Sequence, residues 1–571
     1  MVRCNPEIFQ EVQLNLEHPQ FTQSTTVFTF EVSRNNDRTL ASLRQCCAQP
    51  VNRRGFAAVA SGSTSFSYDT ADVNGVKVAS RDVAGPTTKL AVIAKAGSRY
   101  QPLPGLAAGL ENFAFKNTNR RSALRITRES ELLGSQLLAY HTRESLVLEA
   151  KFLREDLPYF TELLGEVISQ TKYTAHEFHE EVEPVMHLIE QQQQGDAAAL
   201  ALNAAHGVAF HRGLGATLYP TSSTPVSKYL TPENIKDYAS AAYTKPNIAV
   251  VANGASQADL SKWVGEFFSE VPSASSTTLS SEASKYYGGE ERISHASGNS
   301  LVIAFPGSSS FTAGGSYKPE IAVLAELLGG KSTIKWSPGF SHLSKAVAGH
   351  PGASVSTTHF AYSDAGLLTI QLLGSAKAIK GAASDVVSAL KAISEGSISK
   401  EDFTKAVALA KYRALEEAEN IEAGLVSTGA GLVHGGKPFQ INEVSKSVES
   451  VSIDQLKNAA KTLLQGKSAV AAVGDLFVLP YAEELGLSLY GLQLTHWLSN
   501  PPRYLHSDSY NKYLTIAARV VRRSLKEEKR LAAERRGETD LRFSHWNAGK
   551  QGEVKHVKDV TATPSGEGSQ A

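Results

Sequence analysis

Cysteine is nearly absent. Cys4, Cys46 and Cys47 are the only three, all close to the N-terminus. A disulfide framework or a thiolate metal site is therefore excluded from the rest of the chain. No charge sign prevails: Lys+Arg and Asp+Glu both number 57, so no global field favours nucleic acid or acidic substrates. No run approaches the ~20 apolar residues of a membrane span, so no direct span is expected. At 571 residues and 42% hydrophobic, the chain is long enough for several cores and apolar enough to fill them.

The chemistry-bearing stretch is Gly105-Leu-Ala-Ala-Gly-Leu-Glu-Asn-Phe-Ala-Phe-Lys-Asn-Thr118. A glycine opens it, and Leu106, Leu110 and Ala114 follow at helical spacing, which predicts a helix over 105–118. Its plan is that of an inverted zincin, His-x-x-Glu-His, with Glu111 at the water-activating position. The two ligand positions hold Ala108 and Asn112. A methyl group cannot ligate and an amide is a poor zinc ligand. Glu111 then has no metal against which to polarise water, and it reads as a helix-face carboxylate. The stretch predicts no metal, no cofactor and no catalytic residue.

Residues 38–56, RTLASLRQCCAQPVNRRGF, are basic, carry small residues and lack acids, the composition of a mitochondrial presequence. Arg54-Gly-Phe56 before Ala57 predicts cleavage between Phe56 and Ala57. Residues 1–37 carry Glu7, Glu11, Glu17, Glu31 and Asp37, the wrong charge for targeting, and point to a misassigned first exon.

Beyond Ala57 one order of elements occurs twice. Residues 73–96 alternate as paired strands, the 105–118 helix follows, 132–152 is strand-like, and 153–169 is helical. A polar helix runs over 176–194. Asn247–Gly254 is a buried strand, with a helix from Ser256. The second pass has a strand at Leu301–Phe305, a helix at 320–328, strand-like 355–373, helices at 382–393 and 399–419, and a strand at 468–473. This repetition predicts an internal duplication, with the Ser/Thr-rich stretch 272–284 as its connector.

Residues 57–487 resemble the mitochondrial processing peptidase and cytochrome bc1 core-protein family, in a fungal form. The carriers are Gly85-Pro-Thr-Thr, Ala96-Gly-Ser-Arg-Tyr-Gln-Pro-Leu-Pro-Gly105, Leu110-Glu-Asn-Phe-Ala-Phe-Lys116, Ala209-Phe-His-Arg-Gly-Leu-Gly215, Lys245-Pro-Asn-Ile-Ala249 and Gly329-Gly-Lys-Ser-Thr-Ile-Lys-Trp-Ser-Pro-Gly-Phe340. The resemblance implies an α+β chain of two duplicated peptidase-like α/β domains forming a bowl. The expected divisions are a leader and presequence at 1–56, a catalytically degenerate domain at 57–270, a linker at 271–288 and a second domain at 289–487. A junction at 488–505 and a helical segment at 506–571 complete the chain.

The resemblance also implies a peripheral place on the matrix side of the mitochondrial inner membrane. There the chain would be a non-catalytic assembly subunit of the ubiquinol–cytochrome c reductase complex. Its implied partners are core protein 1, cytochrome b and cytochrome c1. The alternative is the non-catalytic, substrate-binding subunit of a processing peptidase. Active relatives hold zinc with two histidines and a downstream glutamate. Glu180, Glu181, Glu183 and Glu190 are present downstream, but a carboxylate alone makes no zinc site.

Other signals carry less. Gly330-Lys-Ser332 has Ala325 where a phosphate-binding loop needs glycine, and Gln465-Gly-Lys-Ser468 has Lys461. His176, His179 and His187 read as a solvated helix face, and His206 and His211 as structural histidines. Pro306–Gly315 reads as a connector.

The tail from His506 holds 13 Lys+Arg against 9 Asp+Glu, and residues 514–525 place Leu514, Ala517, Val521 and Leu525 on one helical face. A basic amphipathic tail or a membrane-surface helix would fit this pattern. Residues 510–555 also resemble the mitochondrial ATP synthase epsilon subunit. The carriers are Tyr510–Leu514, Ala517-Ala-Arg-Val-Val-Arg-Arg-Ser-Leu-Lys526, Glu534-Arg-Arg-Gly-Glu538, Asp540-Leu-Arg-Phe543, Trp546 and Gly549–Val554. That resemblance implies a helix-turn-helix packed on the ATP synthase gamma and delta subunits. Two respiratory complexes in one chain point to a fusion of neighbouring genes.

Overall fold

A computed structural model describes residues 67–489 except 221–229, 276–278, 280, 314–315, 331–338 and 420–423. The presequence, the Phe56/Ala57 cleavage point and the epsilon-like tail lie outside the described residues.

Two sheets organise the chain. In the first half β1 (Asp69–Val73), β2 (Val76–Arg81), β3 (Thr87–Ala94), β4 (Gln136–His141), β5 (Leu146–Leu153) and β6 (Ile248–Asn253) pair in the order β1-β2-β6-β3-β5-β4. In the second half β7 (Gly289–Ser294), β8 (Asn299–Pro306), β9 (Ala353–Ala361), β10 (Gly366–Gly374) and β11 (Ala469–Gly474) pair as β7-β11-β8-β10-β9. The two orders superimpose. β2 and β7 run parallel to β6 and β11, and every other shared pairing is antiparallel. The duplication is thus carried by topology, with β1 added to the first copy.

The expectation that residues 73–96 form strands paired with one another is corrected. β1 and β2 make a hairpin, but β6 lies between β2 and β3. The reason lies in β6 itself: Ile248-Ala-Val-Val-Ala-Asn253 is buried at every position. Such a strand must be covered on both faces, so it takes the middle of the sheet.

Helices α1 (Leu106–Asn112), α2 (Ala123–Leu132), α3 (Leu157–Gln170), α4 (Glu183–Gly195), α5 (Ala197–Phe210), α6 (Pro232–Ala242) and α7 (Gln257–Phe267) belong to the first half of the sequence. A helical turn at Ala175–Glu177 and a π-helical turn at Phe178–Val182 lead into α4. The second half carries α8 (Pro319–Leu328), α9 (His342–Val347), α10 (Ala376–Glu395), α11 (Lys400–Glu419), α12 (Leu425–His434), α13 (Ile441–Glu449) and α14 (Ile453–Gln465). Many starts are written locally. Ser122, Thr231, Ser256, Ser375 and Ser452 each accept a backbone N–H of the first turn. Such caps are worth ~1 kcal/mol apiece.

The packing crosses between the halves. One face of the first sheet (Leu90, Val92, Leu148, Val250) packs on α1, α3, α6 and α7. Its other face (Ala91, Ile93, Val147, Ala249, Val251) is covered by Leu425 and Leu432 of α12, with Ile441, from the far half of the sequence. Reciprocally, Val302, Ala304, Ala469 and Ala471 of the second sheet are covered by Ala201, Ala205, Ala209 and Phe210 of α5. Each half therefore donates one helix to the other's sheet. Small residues permit the close approach: a Cβ added to Gly429 of α12 would meet Ile93 Cδ1 at 2.4 Å.

Candidate functional site: a zinc-peptidase helix closed on itself

α1 starts where the chain must turn sharply. Gly105 has φ +92°, and a Cβ there would press on Pro220 Cγ at 3.0 Å. Gln101 Oε1 accepts the Ala107 N–H at 3.1 Å and stands in for the missing cap. The helix ends at Asn112 rather than Thr118, a correction to the expected span. Phe115 takes φ +62°, and Thr118 forms an isolated bridge with Thr171, so the polypeptide turns away after about two turns of helix. Asn117 Oδ1 accepts the Ala123 N–H (2.8 Å) at the start of α2, a helix the sequence reading passed over.

The three motif positions are brought together, each already engaged. Ala108 is 1% exposed within the first core. Asn112 Nδ2 donates to the Ala108 carbonyl at 2.8 Å, folding its amide onto its own helix. Glu111 Oε2 accepts the backbone N–H of His141 at 3.2 Å and contacts His141 Nδ1. His141 Nε2 lies 2.7 Å from the Leu218 carbonyl. Both ring nitrogens therefore face oxygens. The edge of Tyr219 closes the group, its ring centroid 4.9 Å from that of His141. Burial, and then the Glu111 charge, push the Tyr219 hydroxyl up to about 12.

Three of the downstream carboxylates are taken up in side-chain pairs. Glu181 pairs with Lys116, Glu183 with His179 (3.0 Å) and Glu190 with His187 (3.4 Å), all towards solvent. Glu177 accepts the Asn117 N–H at 2.8 Å and the Thr174 hydroxyl at 2.6 Å. The small cavity beside α1, about 10 Å³, is lined by Met186, Pro220 and Leu230 together with Glu183, His187 and Glu190. Among the described residues no three of His, Cys, Asp or Glu cluster as a metal site. A tetrahedral zinc site needs three or four nitrogen, sulfur or carboxylate donors converging on one point. A methyl group, an amide turned onto its own helix and a carboxylate held by histidine do not fit that ion.

The histidine readings separate. His176, His179 and His187 lie in the helical stretch 175–195, with His179 and His187 paired to acids. His206 is buried, with Nδ1 2.8 Å from the Leu202 carbonyl and Nε2 2.8 Å from the Tyr362 hydroxyl. His211 stacks on Tyr287 at 4.2 Å. Of the connector Pro306–Gly315, Gly307 donates to the Gly366 carbonyl at 2.8 Å, while 314–315 lie outside the described residues. Lys331 and Ser332 also lie outside them.

The sequence reading missed a polar lock between the halves. Arg99 Nη1 and Nη2 grip Asp364 at 2.8 and 2.6 Å, and Nη1 also reaches Glu144 at 2.8 Å. Glu144 in turn accepts the Ser363 N–H at 2.8 Å. Burial opposes the charge on both Arg99 and Asp364. Their hydrogen bonds outweigh it, raising Arg99 and holding Asp364 below 3.8. Arg99 stood in a motif carrying the family resemblance, but only its distant partners reveal its task.

Two duplicated sheet-and-helix units with a zinc-peptidase helix define a chain of the insulinase (M16) peptidase type. The model of the insulinase family, peptidase M16, matches residues 77–222, and that of the peptidase M16 inactive domain matches 229–409. The chain belongs to the family of the mitochondrial cytochrome b-c1 complex subunit 2. It is 59% identical to that protein of Neurospora crassa over 448 residues, covering 78% of this chain and 97% of the relative. The Yarrowia lipolytica protein is 38% identical, with 76% and 99% covered. The human protein is 28% identical, with 72% and 90% covered. Separately, the model of the mitochondrial ATP synthase epsilon chain matches residues 509–549.

Proposed function

We propose that this chain is a non-catalytic structural subunit of the mitochondrial ubiquinol–cytochrome c reductase complex. Its place is peripheral, on the matrix side of the inner membrane. Core protein 1, cytochrome b and cytochrome c1 are its neighbours. The observation that carries this reading is the closure of the former zinc helix: Asn112 on Ala108, and Glu111 on His141. A site arranged in this way holds a helix on a strand and offers no group to activate water. Among the described residues no helix is long and apolar enough to cross a membrane, which agrees with attachment through partners. The working units are 57–270 and 289–487, joined through 271–288.

Native purification from mitochondria tests the reading. Cytochromes b and c1 should travel with the protein. Recovery with only a histidine-bearing peptidase subunit would assign it instead to a processing heterodimer. The epsilon-like segment at 509–549 is proposed to be the product of a neighbouring gene, whose own partners are the ATP synthase gamma and delta subunits. A mature band of full mass recognised by antibodies to both ends would refute that.

A further inference from the structure

The outer flank of the second half carries an open groove of about 530 Å³ between the C-terminal end of α10 and the length of α14. Lys391 comes from α10, and Lys457 and Lys461 from α14. Lys457 and Lys461 are four residues apart, so they share one helix face. Like charges at that spacing repel, and the fold adds Lys391 to them. Glu395 is the one carboxylate in the lining, which leaves an excess of positive charge.

Some lysines elsewhere find acids, Lys411 pairing with Glu449 and Lys380 with Glu484. Among the described residues, no ion pair is formed by Lys391, Lys457 or Lys461. The amides of Asn458 and Gln465 line the same groove and add neutral donors. Ammonium groups with amide donors suit phosphate oxygens, and Lys acts there as a point charge. The volume lies in the range of about 300–1,000 Å³ that small-ligand sites occupy.

We propose that this groove binds a soluble oligophosphate anion, a run of two or three linked phosphates such as a nucleoside di- or triphosphate presents. Lys457 and Lys461 hold one end of the run, Lys391 the other, and the amides of Asn458 and Gln465 orient it. This site is independent of the closed zinc helix, which lies in the other half.

The test is calorimetric titration of the full chain, and of its native complex, with inorganic tripolyphosphate at low and physiological salt. Saturable binding is expected in the wild type, weakening as salt rises. Affinity should fall roughly tenfold for each lysine removed, in Lys391→Gln and in the Lys457→Gln/Lys461→Gln pair. Lys411→Gln, outside the groove, should bind as the wild type does. Equal binding by the groove variants overturns the proposal, and so does an absence of binding at low salt. Binding to vesicles containing phosphatidylglycerol but not to tripolyphosphate also overturns it, in favour of a lipid surface. If the double variant loses its circular-dichroism signature, Lys391→Gln alone decides.

Discussion

Arg99 and Asp364 meet in a two-pronged hydrogen-bonded pair, 2.8 and 2.6 Å, across the seam between the two halves. The guanidinium is 5% exposed and also reaches Glu144. Removing one partner of such a pair leaves the other charge buried and undercompensated. Asp364→Ala should destabilise the protein by about 2–3 kcal/mol, below the usual range for a buried pair because Asp364 retains solvent contact and Glu144 remains. Denaturant unfolding measures this. Asp364 is held below 3.8, so its contribution is full above that pH and is lost as pH falls through its lower folded value. In Asp364→Ala that acid limb should disappear.

His206 sets a second pH dependence, at higher pH. Burial, and then the Arg143 charge, lower it from 6.5 to about 3, and burial lowers His359 to about 4. Both are neutral in the folded chain, whereas the unfolded chain takes up their protons below 6.5. Stability should therefore be full above pH 6.5 and fall towards pH 3–4, by about 1.4 kcal/mol per pH unit for each proton taken up. His206→Gln should be less stable at pH 7 yet show a shallower loss between pH 6 and 4. Urea midpoints across that range give the slope.

Gly429→Ala places a methyl group against Ile93 Cδ1 at 2.4 Å. Overpacking costs about 1–3 kcal/mol, and the better helix propensity of alanine returns up to ~1 kcal/mol. A net loss of about 1–2 kcal/mol is expected. Ile93→Val should recover part of it, so a double-mutant cycle should show favourable coupling.

Installing both histidines, Ala108→His with Asn112→His, should not create a zinc site. Position 108 is 1% exposed, and the cavity beside the helix, lined by Met186, Pro220, Leu230, Glu183, His187 and Glu190, holds only about 10 Å³. Glu111 would remain held by His141. Elemental analysis should find no stoichiometric zinc, and thermal unfolding should start lower with or without added zinc. Stoichiometric zinc binding would show that the two side chains alone separate this site from a peptidase.

How far the sequence speaks depends on whether its cues are local. β6 and β11 are legible because they are unbroken apolar runs ending at Gly254 and Gly474, both with positive φ. The helix starts at Ser256 and Ser399 are legible from serine followed three residues later by an acid, Asp259 or Asp402. α5 and α12 are not. Ala197-Ala-Ala-Leu-Ala-Leu-Asn-Ala-Ala-His-Gly-Val-Ala-Phe210 is small and apolar around much of its circumference. Leu425-Val-Ser-Thr-Gly-Ala-Gly-Leu-Val-His434 has the glycines of a loop. Both become helices against a sheet from the opposite half. β7, Gly-Glu-Glu-Arg-Ile-Ser, is an edge strand too polar to announce itself. At the site, Ala108 and Asn112 were legible because their motif is contiguous. His141, which immobilises Glu111, lies thirty residues on and carries no local mark.

The exchange of α5 and α12 bears on inheritance. Once each copy of an ancestral duplication had surrendered a helix to its twin, neither could be lost, shuffled or regulated separately. Expressed alone, either half would present an uncovered sheet face and demand its sibling in trans. A protease that severed the connector would leave two fragments still clasped together. The chain is in this sense an internal dimer, its two halves bound by a mutual hostage.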